Sequence, residues 1–225
     1  MALPNWLSKF RPRLSRRVGI IVLAAAAVAG LCVVVATRYV FRAVFAEVVP
    51  GQVYRTPQPS EKQLRGYLAQ YGIQTVLSLR GNDTREVITE MAVCRELGVT
   101  HRAIALATGD LPTPAQLREL IDDLLHSPRP ILVHCRAGVD RTALGSALAV
   151  LLIQKGGLDA AMKQLPLIRS NDEPDHVCDV LGQYRLYCSA NGKDPNAPET
   201  FLRWADEVYT GKRQEGTQML WRLPK

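Results

Sequence analysis

The segment from Ile131 to Leu152 constrains this chain more than any other. Ile131-Leu132-Val133 is an apolar, β-branched run, the pattern of a parallel strand buried on both faces. Beyond it Ala143, Leu144, Ala147, Leu148, Leu151 and Leu152 recur at helical period and predict a helix with an apolar face. The switch between them holds a cysteine, a glycine and an arginine, with Arg141 six positions after Cys135. A loop of this kind turns successive backbone N–H groups inward at a helix N-terminus, which makes an anion cradle. Such a field lowers a thiol pKa from about 8.5 to as little as ~3.5–7.5, so a thiolate is expected at Cys135 at neutral pH. Arg141 adds a planar fork that grips two phosphate oxygens at once. A nucleophilic sulfur at the base of a phosphate-shaped cup is suited to accepting a phosphoryl group.

The Cys–Arg interval alone is weak evidence, because Cys32 is also followed six positions later by Arg38. That pair sits in an apolar run with no glycine and no strand-to-helix switch. Context makes the difference: His134-Cys135-Arg136-Ala137-Gly138-Val139-Asp140-Arg141-Thr142 resembles the signature loop of cysteine-based protein tyrosine and dual-specificity phosphatases. The resemblance implies Cys135 as nucleophile, Arg141 as phosphate clamp and the loop Arg136, Ala137, Gly138, Val139, Asp140 and Arg141 as the phosphate-binding wrap. His134 would orient the loop, and the Thr142 hydroxyl would assist the departing sulfur. Tyr54-Arg55, Gln58-Pro59-Ser60 and Val76-Leu77-Ser78-Leu79-Arg80 are similar to the entry region of compact bacterial and fungal members, so the resemblance spans roughly residues 50–190. Two other readings stand beside it: a buried thiol near a helix-capping arginine, and a rhodanese-like sulfurtransferase, which the His-Cys start and Arg-Thr finish disfavour.

The chain carries 28 basic and 21 acidic residues, a formal charge of +7. Residues 1–42 hold seven of the basic ones (Lys9, Arg11, Arg13, Arg16, Arg17, Arg38 and Arg42) and no acidic ones, leaving 21 of each in residues 43–225. The excess therefore belongs to the leader and gives no support for nucleic-acid binding. From Val18 to Thr37 no residue is charged, about the length needed to span a bilayer as a helix. Five positive charges before this run against two just after favour a cytoplasmic N-terminus, and in a bacterium a periplasmic or extracytoplasmic body. The expected organisation is a basic segment 1–17, a membrane anchor 18–41, a linker 42–51, a phosphatase domain 52–210 and a tail 211–225. A cleaved leader is the rival, because Ala27-Val28-Ala29 fits a cleavage pattern and Ser15-Arg16-Arg17 partly fits a twin-arginine signal. Cys178 and Cys188 lie ten residues apart in a helical pattern, about 15 Å along a continuous helix, so no disulfide is expected.

Strands alternate with helices after residue 52. Strands are expected at Gln52–Arg55, Ile73–Leu79 and Val99–Ala105. Ser60 with Gln63, and Thr113 with Pro114 and Gln116, are capping boxes. Leu64, Tyr67 and Leu68 form one helix face, ended by Gly72. Thr84 opens a helix carrying Val87, Ile88, Met91, Val93 and Leu97, with Gly98 as its stop. Leu117, Leu120, Ile121, Leu124 and Leu125 face inward on the next, and Leu158 to about Tyr209 is helical. The expected fold is α/β: a mostly parallel central sheet flanked by helices, dual-specificity-phosphatase-like, preceded by a transmembrane helix.

Ester cleavage also needs an acid to protonate the departing oxygen. In the resembled family it is an aspartate on the loop before the helix preceding the nucleophile strand, which points to Asp110. In some relatives an aspartate ahead of Arg-Thr is assigned a catalytic part, which points to Asp140. Each also has a plain structural reading, Asp110 as a turn residue and Asp140 as an acceptor near a helix start. Asp83 is a third, weaker candidate. His101, His126 and His176 are expected to be structural, and no metal-ligand spacing or cofactor motif is present. The expected substrates are phosphotyrosine-type protein or phosphorylated lipid or sugar. A phosphate-binding membrane scaffold with little catalysis is the alternative.

Overall fold

The computed structural model describes residues 22, 26–30, 45–81, 83–107, 109–165 and 179–212. The chain divides into two units, residues 1–40 and 41–225. In the first, the described residues are helical. Among the described residues no helix is long and apolar enough to cross a membrane. Most of the expected anchor 18–41 falls outside them, as do the basic segment 1–17, Cys178, His176 and most of the tail.

The second unit is built on a five-stranded sheet of order β1-β2-β5-β3-β4. Its strands are β1 (Ala46–Val49), β2 (Val53–Pro57), β3 (Thr75–Ser78), β4 (Thr100–Ala103) and β5 (Ile131–Cys135). All pairings are parallel except β1 with β2. The helices are α1 (Glu61–Tyr71), α2 (Arg85–Glu96), α3 (Pro114–His126), α4 (Asp140–Leu152), α5 (Gly157–Met162), α6 (Asp179–Asn191) and α7 (Pro198–Glu207). Their starts follow from local chemistry. Ser60 and Thr113 close capping boxes with Gln63 and Gln116, and Thr84 accepts from the Val87 N–H. Gly72 and Gly98 stop α1 and α2 with φ of 61° and 68°.

Register divides the side chains between two faces. Tyr54, Leu132 and Val76 pair in one row and pack with Leu64, Leu68 and Cys94 of α1 and α2. Val53, Ile131, Val133, Cys135, Leu77 and Leu79 point the other way, into the larger core with α3, α4, α6 and α7. In that core Tyr184, Phe201, Trp204 and Tyr209 pack edge-on or tilted against one another, with ring centroids 4.9–5.5 Å apart. Because β5 lies between β2 and β3, its C-terminal end opens at the crossover of the sheet, where α/β folds place their ligands.

Two expectations change. The linker 42–51 is not all linker: Ala46–Val49 is an antiparallel edge strand on β2. Its charged Glu47 and its turn residues Pro50 and Gly51 hid a strand only four residues long. The helix α4 is not one-sided: every residue from Thr142 to Leu152 is buried, including Gly145, Ser146, Ala149 and Val150. Such a helix has no polar face to keep. In α2, Ile88 and Leu97 are exposed, and the inward set is Val87, Glu90, Val93 and Cys94. A buried carboxylate sits on that inward face, for a reason found at the site.

Candidate active site

Strand β5 ends at Cys135, which is 2% exposed, and α4 begins at Asp140. The loop between them is held by its backbone and by a buried arginine. The Gln58 N–H donates to Arg136 O at 3.2 Å, and Leu79 N–H donates to His134 O at 2.8 Å. Arg55 of β2, 6% exposed, donates from Nη2 to Gly138 O at 2.7 Å and from Nη1 to Gln164 O at 3.5 Å. The 2.7 Å charge-assisted bond to Gly138 O is among the stronger restraints available to a loop carbonyl. Val139 precedes α4 without a side-chain cap, in contrast to the three capped helices before the nucleophile strand. The first N–H groups of α4 are therefore left for an anion.

Gly138 sits at φ 69°, and a Cβ built there would meet Pro57 N at 2.7 Å and Pro57 Cα at 2.9 Å. Both the left-handed backbone and the contact with β2 demand glycine. Gly138→Ala is expected to tilt the loop off its Arg55 anchor and lower kcat/KM on an aryl phosphate by ~10²-fold, the cost of a misplacement of about 1 Å. Steady-state kinetics beside a thermal melt checks this, and unchanged kcat/KM would contradict it.

Arg141, on the first turn of α4, is half-buried. Its Nη1 donates to Leu79 O and Leu106 O, both at 3.1 Å. The clamp is thus braced against the ends of β3 and of the strand-to-α3 connection. Thr142 is fully buried, and its Oγ1 has no hydrogen-bond partner. Arg136 and Ala137 are exposed at the loop tip. Asp140 is half-buried at the start of α4. Asp110 is exposed on a connection pinned on both sides: Leu106 O is held by Arg141, and Pro112 O accepts from Tyr209 Oη at 2.7 Å. Asp83 is exposed before α2.

Glu90 was not singled out in the sequence. It is 3% exposed, and its Oε1 lies 2.9 Å from His134 Nε2 and 2.7 Å from His101 Nε2. Its Oε2 accepts from Gln58 Nε2 at 2.9 Å, and Gln58 Oε1 accepts from Arg80 Nη1 at 2.8 Å. Burial opposes its charge, but the hydrogen bonds of His101 and His134 outweigh that and hold its pKa at about 2. Its stabilising contribution is present above the unfolded value of 4.5 and is lost as pH falls toward about 2. A glutamate one turn after Val87, in line with Cys94, was the available signal: a charge on an apolar stripe has to be paired. His101, expected to be structural, belongs to this cluster. By contrast Cys94 is pushed up to about 12 by burial and by the Glu90 charge, which leaves its thiol inert at neutral pH. Among the described residues no group of histidine, cysteine and acidic side chains could hold a metal ion.

A thiol at the base of an uncapped helix N-terminus, faced by a braced arginine, is the equipment of phosphoryl transfer to cysteine. Residues 50–157 match the family described as "Polymorphic toxin system, DSP-PTPase phosphatase". Over that segment the chain is similar to the cysteine-based tyrosine and dual-specificity phosphatases, which are hydrolases of phosphoric monoesters. Solved structures similar to it include the catalytic domain of the PP-IP phosphatase SIW14 from S. cerevisiae with citrate (TM-score 0.49, 16% identity, covering 66% of this chain and 92% of that one). Others are P. aeruginosa TpbA with pTyr (0.41, 20%, 55% and 77%) and PTPMT1 with PI(5)P (0.47, 16%, 66% and 98%). No curated protein matches the chain.

Proposed function

We propose that this phosphatase is membrane-anchored through residues 18–41 and works through a phosphocysteine on headgroup-type phosphate monoesters near the membrane. The Cys135 thiolate attacks phosphorus, an S–P bond forms and the ester P–O bond breaks. The departing oxygen takes a proton from an aspartic acid. Water then attacks the phosphocysteine, giving up a proton to that carboxylate, and the S–P bond breaks to release phosphate and thiolate. Arg141, anchored through Nη1, presents its remaining N–H groups to the equatorial oxygens beside the amides of the α4 N-terminus. The observation that carries this reading is the uncapped start of α4 over buried Cys135.

Three features favour a lipid headgroup over phosphoprotein. The uncharged run Val18–Thr37 is long enough to anchor the chain. With Ala46 already in the sheet, three residues separate it from Arg42, a reach of about 13–14 Å over four steps of chain. The exposed Arg136 adds a positive charge at the loop tip, suited to an anionic surface. The test is phosphate release by the full chain in detergent, from an inositol phospholipid in mixed micelles and from a phosphotyrosyl peptide. Higher kcat/KM on the micelles supports the reading. Activity confined to the peptide overturns the substrate assignment and leaves the enzyme class standing.

The acid is assigned by the same assay on Asp110→Asn and Asp140→Asn. The variant lacking the acid is expected to lose ~10²–10⁴-fold in kcat on a poor leaving group, and to lose the basic limb of its pH profile. On an aryl phosphate with a very acidic phenol the loss shrinks, because that oxygen departs without a proton. Equal, small losses from both changes would remove both aspartates from the role.

A further inference from the structure

We infer that Glu90 is a positioning residue for the nucleophile loop, acting through His134. The hydrogen-bond geometry argues it. His134 is fully buried on the sheet face opposite Cys135, in one row with Thr56 of β2 and Ser78 of β3. Both of its ring nitrogens face oxygen: Nε2 lies 2.9 Å from Glu90 Oε1, and Nδ1 lies 3.4 Å from Cys135 O. Neither a carboxylate nor a carbonyl oxygen donates, so the arrangement is satisfied when each nitrogen carries a proton. A carboxylate held at about 2 stays charged across the working range and is the counter-ion such a ring requires. Glu90 therefore keeps a positive charge against the Cys135 backbone, within the low-dielectric interior, while its own negative charge sits one ring further away.

The other charged groups around this pair are consistent with the assignment. From β4, His101 shares Glu90 Oε1 at 2.7 Å. From the end of β3, Arg80 reaches Gln58 at 2.8 Å and lies 3.8 Å from exposed Glu86 of α2. Cys94 of α2 stays a neutral thiol. Arg55, Arg136, Asp140 and Arg141 belong to the loop side. Glu90 is thus the negative charge buried directly behind His134, and removing it deprives the ring of its second proton. Its effect on the reaction is indirect, through the ring and the loop, since it touches no substrate.

The inference takes from the phosphatase reading only that Cys135 is the reacting sulfur, and its test needs no substrate. Full-length wild type and Glu90→Gln, in detergent, are alkylated with iodoacetamide from pH 4 to 9. The Cys135 peptide is followed by mass spectrometry, which separates it from the other cysteines. Glutamine keeps the shape and a hydrogen-bonding oxygen but not the charge. The half-maximal pH of Cys135 alkylation is expected to rise by about one unit, the scale of losing one neighbouring opposite charge. kcat on an aryl phosphate at pH 6 should fall in step by ~10-fold, with KM little changed. An unmoved alkylation limb, with or without a lower melting temperature, would reduce Glu90 to a structural role. A limb displaced downward would mean that its own negative charge dominates, and would also overturn the inference. Should Glu90→Gln fail to fold, the ¹⁵N shifts of His134 in wild type decide: two protonated nitrogens near pH 7 are expected, and a neutral ring refutes it. Loss of phosphatase activity in wild type would instead strike the enzyme reading and leave the alkylation result intact.

Discussion

Cys135→Ser is expected to abolish phosphate release from an aryl phosphate, by on the order of 10⁴-fold or more, while leaving the fold unchanged. The serine hydroxyl is close to the thiol in size, so the buried end of β5 keeps its packing against the larger core. What disappears is the nucleophile. A serine hydroxyl has far higher pKa than a thiol, so it is a much poorer nucleophile at neutral pH. The amide cradle and Arg141 survive, so the variant should still bind an oxyanion such as tungstate. Binding with no turnover, and no acid-stable phosphoenzyme by mass spectrometry, is the expected pair of results. Turnover near the wild-type rate would mean that the sulfur is not the attacking atom. If wild type also bound tungstate without turnover, the phosphate-binding scaffold would replace the enzyme.

Arg141→Lys should cost ~10²–10³-fold in kcat/KM, as removal of a positioned oxyanion donor does. Charge is conserved in this change, so any loss reports geometry. Lysine offers a point charge on a flexible stem in place of a planar fork. It also abandons Leu79 O and Leu106 O, which Arg141 Nη1 serves at 3.1 Å each. Leaving buried carbonyls unserved costs about 1–3 kcal/mol per group, so a lower melting temperature should accompany the kinetic loss. The same bonds tie the clamp to the connection carrying Asp110, so disorder there should appear as faster amide exchange at residues 104–107. Retention of kcat/KM within a few-fold would show that charge alone suffices and that the fork is not used.

Much of this site was legible in the linear chain because it is local. Residues 134–142 lie within nine consecutive positions, and a β-branched run turning into a helical pattern defines the loop between them. The capping boxes at Ser60 and Thr113 were legible for the same reason: donor and acceptor lie three residues apart. Elements without such markers were harder. β1 has four residues and gains its meaning only from pairing with β2, and α4 shows an apolar stripe although its surroundings bury the whole helix.

Arg55 and Glu90 mark the limit most sharply. Both are charged residues inside predicted regular elements, where solvent exposure is the ordinary outcome. Arg55 meets Gly138 across 83 residues of chain, and Glu90 meets His134 across 44. The chain by itself placed the cysteine, the glycine and the arginine in one strand–loop–helix, since neighbours in sequence must be neighbours in space. Only the tertiary structure decided which distant charges brace that loop. Parallel register sets β5 between β2 and β3, and only then does desolvation oblige Arg55 and Glu90 to find partners there.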